Sequence, residues 1–277
     1  MTPAQPLAGY GQFAFAHEGI EHPVHHAGDP THPPVLLMPE LSGLAPGLLL
    51  FAARLREAGF QVYLPQLFGV VGRRAPLRNV LRLCIAQEFA ALRAGVSAPV
   101  TLWLRALATC ISDRHGGGHV AAIGMCLTGA FAIPLILNPR VVAAVAAQPS
   151  VPLSPAFAAL GFGRSARQGA LNVSASDIDS ARTRLASGQA HLLAVRCRPD
   201  RLCPQAKMAR LQAEFPVGLE VREYGAADWR NALGARPHAT YTKEYRLEPQ
   251  ATPDHPSRQA FADLIAFLDR HLRGATG

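Results

Sequence analysis

The sequence predicts an α/β fold, a mostly parallel central sheet with helices on both faces. Three observations point there. Short apolar runs with no polar alternation recur between longer amphipathic stretches, the pattern of strands buried on both faces and joined by helical crossovers. Apolar residues make up 49% of the 277 and charged residues only 17%, which supports a large core and excludes a disordered chain or a long coiled coil. One stretch rich in Pro, Gly and Ser, residues 151–190, interrupts the alternation without a composition shift strong enough to cut the chain. The expectation is a single domain over 1–277 with a cap or insertion at 151–190.

The elements follow in order. Pro34-Val35-Leu36-Leu37-Met38 is apolar throughout and reads as a buried strand. A helix runs from Pro46 to Ala58, with Gly59 as its stop. Phe60 to Leu64 is the next strand, ended by Pro65. Residues 78–113 read as helical with a break near Ser97-Ala98-Pro99. Val120 to Ile123 is a strand, Leu127 to Leu137 a helix and Val141 to Ala147 a strand. Within the insertion one helix is expected near Asp177–Ala186, after which His191 to Val195 and Leu219 to Arg222 restore the strand pattern. The last helix opens at Pro256, whose fixed φ suits a first helical position, and carries Phe261, Leu264, Ile265, Leu268 and Leu272 at three- and four-residue steps.

Several function classes are disfavoured. The formal charge is +8, yet Lys occurs only at Lys207 and Lys243 and the arginines are dispersed, apart from Arg73-Arg74 and the Arg196, Arg198, Arg201 group; a nucleic-acid partner needs a denser patch. No apolar run approaches about 18 residues, so no membrane span is expected. Met1 to Pro6 lacks the basic and apolar regions of a secretory signal, which points to a soluble, unexported, cytoplasmic protein, monomer or homodimer. Five cysteines without a repeating spacing argue against a disulfide framework, and most should be buried, inert thiols. The run His17-Glu18-Gly19-Ile20-Glu21-His22, with His25-His26 after it, is not HExxH and reads as a solvated β-hairpin; His115-Gly116-Gly117-Gly118-His119 reads as a flexible turn. No metal is therefore expected, and without a phosphate-binding glycine loop no nucleotide cofactor either.

The stretch that carries chemistry is Ile123-Gly124-Met125-Cys126-Leu127-Thr128-Gly129, set between a buried strand and a helix start. That is the context of a nucleophile elbow, a tight strand-turn-helix bend that lifts a nucleophile above the sheet. Gly124 would let the neighbouring backbone approach closely, Cys126 would occupy the strained corner, and the Leu127 amide would point into an oxyanion hole. The positive end of the following helix would favour a thiolate. Spacing alone fits a buried packing cysteine equally well.

Gly124-Met125-Cys126-Leu127-Thr128-Gly129 resembles the elbow of the dienelactone hydrolase family, α/β-hydrolases in which cysteine replaces the usual serine. Met38-Pro39-Glu40-Leu41-Ser42-Gly43 and Phe60-Gln61-Val62-Tyr63-Leu64-Pro65 extend the resemblance upstream. It implies an α/β-hydrolase fold, an acidic residue beside the thiol (Glu40), and an oxyanion hole formed by the amides of Leu41 and Leu127. Thr128 departs from the pattern, since many members carry Gly there. The family's triad acid follows the strand after the insertion, which matches Asp200 in Pro199-Asp200-Arg201-Leu202-Cys203-Pro204; the bland reading is a helix-capping Asp. Its histidine resembles His238 in Pro237-His238-Ala239-Thr240-Tyr241-Thr242, with His255 in Asp254-His255-Pro256 as the alternative and a helix cap as that residue's simpler role. Either gives the chain order Cys, Asp, His. Arg73, Arg74 and Arg82 lie where the family places an arginine for a substrate carboxylate, and Arg258 is another possibility; each is equally well a solvated surface residue.

The resemblance implies a hydrolase of a small-molecule carboxylic ester or lactone, working through an acyl-thiol intermediate and needing no cofactor. Two other readings share these residues. One is a non-catalytic α/β-hydrolase-fold protein that binds a small ligand or partner, with Cys126 retained as packing. The other is acyl transfer to an acceptor other than water.

Overall fold

A computed structural model describes residues 7–69, 71–72, 99–150, 171, 173–231, 234–247 and 255–274. Among these, eight strands form one sheet: β1 (Gly11–His17), β2 (Ile20–Ala27), β3 (Pro34–Leu37), β4 (Gln61–Pro65), β5 (Val120–Met125), β6 (Val141–Ala147), β7 (His191–Cys197) and β8 (Leu219–Tyr224). Their order across the sheet is β1-β2-β4-β3-β5-β6-β7-β8. The β1–β2 and β2–β4 pairs are antiparallel and every later pair is parallel. β3, β4, β5 and β6 are buried at every residue, which is why their sequences show no polar alternation.

Side chains alternate between the two faces of the sheet. Val35, Leu37, Ile123, Val145 and Leu193 face α1 (Pro46–Glu57), where they meet Leu48, Phe51 and Leu55. On the opposite face Leu36, Met38 and Ala122 pack on Trp103, Leu104, Leu107 and Ile111 of α2 (Pro99–Arg114). Ala144, Ala146, Leu192 and Ala194 pack on the short α3 (Ala132–Leu135), α4 (Ala175–Ala186) and α5 (Gln205–Glu214). A five-residue helix, α6 (Lys243–Leu247), precedes α7 (Pro256–Leu268), whose Leu264, Phe267 and Leu268 close the first face. A wide π-type turn, Asp269–Arg273, follows α7.

The departures from expectation have physical reasons. The helix expected over Leu127–Leu137 is a 3₁₀ turn, Cys126–Phe131, followed by a single α turn that contains Pro134, which has no amide to donate. β7 and β8 each extend two residues beyond the expected strand. The first two strands do form a hairpin, turning at Glu18 (φ 48°) and Gly19 (φ 77°), but it is not solvated throughout. His25 is fully buried and its Nε2 pairs with Gln66 Oε1 at 3.2 Å; His22 sits edge-on to Trp103 at 5.2 Å. Antiparallel pairing of β2 with β4 brings it into the sheet and beside α2. Residues 78–98 of the expected helix and 151–170 of the expected insertion lie outside the described residues. No helix among the described residues is long and apolar enough to cross a membrane.

Candidate active site

β5 ends at Met125 and the chain turns at Cys126 with φ 56°, a left-handed conformation that costs a non-glycine residue energy. The turn is tight because of the residues on either side. A Cβ at Gly124 would lie 2.1 Å from the Thr128 carbonyl oxygen and 3.1 Å from Gly129 Cα, so no larger residue fits. Gly129 likewise approaches Pro149, whose Cα would be 2.9 Å from an added Cβ. Thr128 bridges this crossing: its Oγ1 accepts from the Met125 amide at 2.9 Å and shares its proton between the carbonyls of Met125 (3.0 Å) and Met38 (3.4 Å). The Cys126 thiol remains partly exposed, and its Sγ lies 3.1 Å from the Ser150 hydroxyl. The Ser150 amide donates back to the Cys126 carbonyl at 3.0 Å.

Asp200 follows β7 and is 4% exposed. Both of its carboxylate oxygens are committed. Oδ1 accepts from the amides of Leu202 (2.8 Å) and Cys203 (3.2 Å), shaping the turn into α5, and Oδ2 lies 2.6 Å from His238 Nδ1. An ionised carboxylate only accepts, so Nδ1 carries the hydrogen and Nε2 faces away from the acid. Burial pushes the His238 ring towards the neutral form, but hydrogen bonding to Asp200 and the nearby Cys126 thiol outweigh it and raise the pKa well above that of a free imidazole. Nε2 is buried and makes no hydrogen bond of ordinary geometry, while the thiol is turned to Ser150. The His238 amide donates to Glu244 Oε1 at 3.3 Å, and Tyr241 stacks on Phe51 at 5.1 Å, which fixes the histidine loop to α6 and α1.

Glu40, just beyond β3, accepts at Oε1 from Thr242 Oγ1 (2.8 Å) and from Gln148 Nε2 (3.4 Å). It ties the first parallel strand to the histidine loop and to the end of β6, where Gln148 has φ 36°. Leu41 lies in a turn closed by the Gly43 amide on the Glu40 carbonyl at 2.8 Å, and Leu127 directly follows Cys126 and is 2% exposed. His255 is an N-cap: its Nδ1 accepts from the Ser257 amide at 3.2 Å and pairs with the Ser257 hydroxyl at 2.8 Å, at the head of the helix that also carries Arg258. Arg73, Arg74 and Arg82 lie outside the described residues. Among the described residues, no group of three or more His, Cys, Asp or Glu side chains could hold a metal ion.

Two further residues, Ser150 and Lys207, were not singled out by sequence reasoning. Ser150 sits in no motif, and nothing in the sequence marks it. Lys207 lies with Met208 and Leu211 on the buried side of α5. It is 3% exposed, and burial lowers its pKa. The other described buried thiols are poor nucleophiles: burial pushes Cys197 up to about 12 and raises Cys203 further.

The family model for the dienelactone hydrolase family matches residues 23–163, just over half of the chain. Among solved structures, a candidate dienelactone hydrolase of Klebsiella pneumoniae aligns with TM-score 0.60 at 17% identity, covering 95% of this chain and 98% of that one. A dienelactone hydrolase-like promiscuous phosphotriesterase from metagenomic libraries aligns with TM-score 0.58 at 17% identity, covering 93% and 97%. A Pyrococcus furiosus esterase aligns with TM-score 0.61 at 13% identity, covering 95% and 93%. At these identities the likeness is one of fold, the α/β-hydrolase fold. No curated protein sequence matches the chain.

Proposed function

The chain belongs to the dienelactone hydrolase family, a family of hydrolases, and from that premise we propose that it cleaves a small-molecule carboxylic ester or lactone with Cys126, His238 and Asp200. The observation that carries the reading is the left-handed Cys126 at the end of β5, near a histidine whose Nδ1 is held 2.6 Å from a buried carboxylate. A packing cysteine needs neither the strained turn nor the oriented imidazole.

The steps follow from the groups. The Cys126 proton passes to His238 Nε2, and the resulting imidazolium is stabilised by Asp200 across Nδ1–H. The thiolate attacks the carbonyl carbon, so that an S–C bond forms and the π electrons move to oxygen, which the amides of Leu41 and Leu127 receive. Collapse of this adduct breaks the C–O bond, and His238 gives its Nε2 proton to the departing alkoxide. The ring then takes a proton from water as that water attacks the thioester, releasing the acid and restoring the thiol. Before substrate arrives the sulfur hydrogen-bonds to Ser150, so the first movement is rotation of the thiol towards Nε2. Glu40 acts as a tie between segments in this scheme, through Thr242 and Gln148.

The test is hydrolysis of a panel of p-nitrophenyl esters and lactones, with and without a carboxylate, together with iodoacetamide labelling at pH 7. Expected are turnover of short acyl chains and labelling of Cys126 faster than that of a model thiol, both lost in Cys126→Ala. Labelling no faster than the model thiol, with no ester or lactone cleaved, would favour the ligand-binding reading. Transfer of the acyl group to an added alcohol or amine in preference to water would redirect the reading to acyl transfer.

A further inference from the structure

We propose that the Ser150 hydroxyl is the hydrogen-bond donor to the Cys126 thiolate, holding the negative charge of the sulfur once its proton has passed to His238. The inference rests on Cys126 being the nucleophile. Ser150 Oγ lies 3.1 Å from Sγ, and among the described residues this is the one hydrogen bond that either side chain makes. Ser150 is 4% exposed, so little water competes for the contact.

The backbone fixes that hydroxyl before substrate arrives. β5 and β6 run parallel and paired as far as Met125 and Ala147. Beyond them Gln148 turns at φ 36° with its amide on the Val195 carbonyl at 2.6 Å. Pro149 then fits against Gly129, and the Ser150 amide donates to the Cys126 carbonyl at 3.0 Å. Sulfur and hydroxyl are thus set against each other by their own main chains, the kind of preorganisation that costs nothing at the moment of reaction.

The chemistry of the two groups decides the direction of the bond. In the neutral pair either can donate. After proton transfer the sulfur can only accept, whereas the hydroxyl still has a proton to give. His238 Nε2 is buried and makes no hydrogen bond. Turning the S–H bond about Cβ–Sγ towards it leaves Sγ in place, and the Ser150 O–H swings onto the sulfur. Ser150 keeps its own proton throughout; the proton that moves is the thiol's, from Sγ to Nε2. A hydrogen bond to an ionised acceptor is about twice as strong as a neutral one, so the contact favours thiolate over thiol. It acts again when the thioester breaks and the sulfur leaves with its electron pair. A carbonyl in the place of this hydroxyl would hold the thiol and oppose its ionisation.

The experiment uses the full chain and compares wild type with Ser150→Ala, and Ser150→Thr with Ser150→Val, a pair of equal size that differs in the hydroxyl. Alkylation of Cys126 by iodoacetamide is followed by peptide mass spectrometry across about pH 5 to 10, alongside kcat and KM for p-nitrophenyl acetate and the melting temperature. Losing a donor to a charged acceptor should move the midpoint of the labelling profile of Ser150→Ala up by roughly one pH unit. On the plateau above it the more basic sulfur should react about threefold faster, and well below it, where the smaller thiolate fraction dominates, about threefold slower. Turnover at pH 7 should fall in kcat with KM within about twofold. Ser150→Thr should restore the wild-type profile and Ser150→Val should match Ser150→Ala, and this pair decides the matter where the Ala variant does not fold.

An unmoved midpoint overturns the proposal, even with a uniform loss of rate, because displacement of the sulfur alone would produce that pattern. So does faster labelling at every pH, which would make Ser150 a restraint on the neutral thiol, and so do equal profiles for the Thr and Val variants. Slow labelling of wild-type Cys126 together with absent turnover is a separate result, and it overturns the nucleophile reading itself.

Discussion

Gly124→Ala tests whether the elbow is built as tightly as its geometry requires. The added methyl would meet the Thr128 carbonyl oxygen at 2.1 Å and its carbon at 2.7 Å. Both are backbone atoms, so no rotamer change relieves the clash. Contacts below 3.0 Å are essentially never seen for a real Cβ, so the 3₁₀ turn must retreat from β5 by roughly 1 Å. Overpacking of this kind costs about 1–3 kcal/mol, and because every atom the methyl would meet is backbone of Thr128 and Gly129 this site lies near the upper end. For a chain of this size, about 3 kcal/mol corresponds to a fall in melting temperature of roughly 6–12 °C. The same shift moves Cys126, and a displacement of about 1 Å at a reacting group costs on the order of 10² in rate. Scanning calorimetry and ester turnover measure the two effects separately. A Gly124→Ala protein with the melting temperature and kcat/KM of wild type would refute the argument, since the crossing would then have slack that the geometry denies.

Two further expectations concern the imidazole and its acid. His238→Ala should lose turnover by roughly 10² or more, whereas His255→Ala should lose about 1 kcal/mol of stability as a missing helix cap and keep its kcat; the reverse pattern in ester assays would move catalysis to His255. Asp200→Asn should lower kcat by about 10³–10⁴ and alter the dependence of stability on pH. Because the folded value of His238 is raised, the stabilisation from its charged form is present in full below the unfolded value of about 6.5 and is lost as pH climbs through the raised folded value. Urea titrations across that window should show the wild-type advantage over Asp200→Asn narrowing as pH rises, and a constant difference would mean that the pair is not coupled.

The parts of this molecule that were legible in sequence are those where one force dominates. Val35-Leu36-Leu37 and Val141 to Ala147 could be nothing but strands covered on both sides, because their apolar residues meet helices on each face. The elbow was readable because a close crossing requires Gly124 and Gly129 on either side of the exposed side chain. Where several weak terms compete, the sequence said less. α5 buries only Lys207, Met208 and Leu211, too narrow a stripe to stand out by periodicity, and so the helix and its lysine passed unnoticed. The β2 run Ile20 to Ala27 mixes His and Pro with apolar residues, so its burial follows from pairing with β4 and not from its own pattern. Ser150 reaches the thiol because parallel pairing sets the end of β6 beside the end of β5, a long-range placement that no local motif encodes.

Three non-glycine residues among those described have positive φ, and two of them, Cys126 and Gln148, stand at the ends of the adjacent strands β5 and β6. At position 126, folding and chemistry ask for different amino acids. Glycine would relax the turn, and such a conformation costs a side-chain-bearing residue about 1–3 kcal/mol. The sulfur can be presented only by keeping a residue that resists the shape of its own backbone. With Cys126 as the proposed nucleophile, a more stable descendant of this protein is easiest to reach by giving up that cysteine, and selection for reactivity is what would hold it in place.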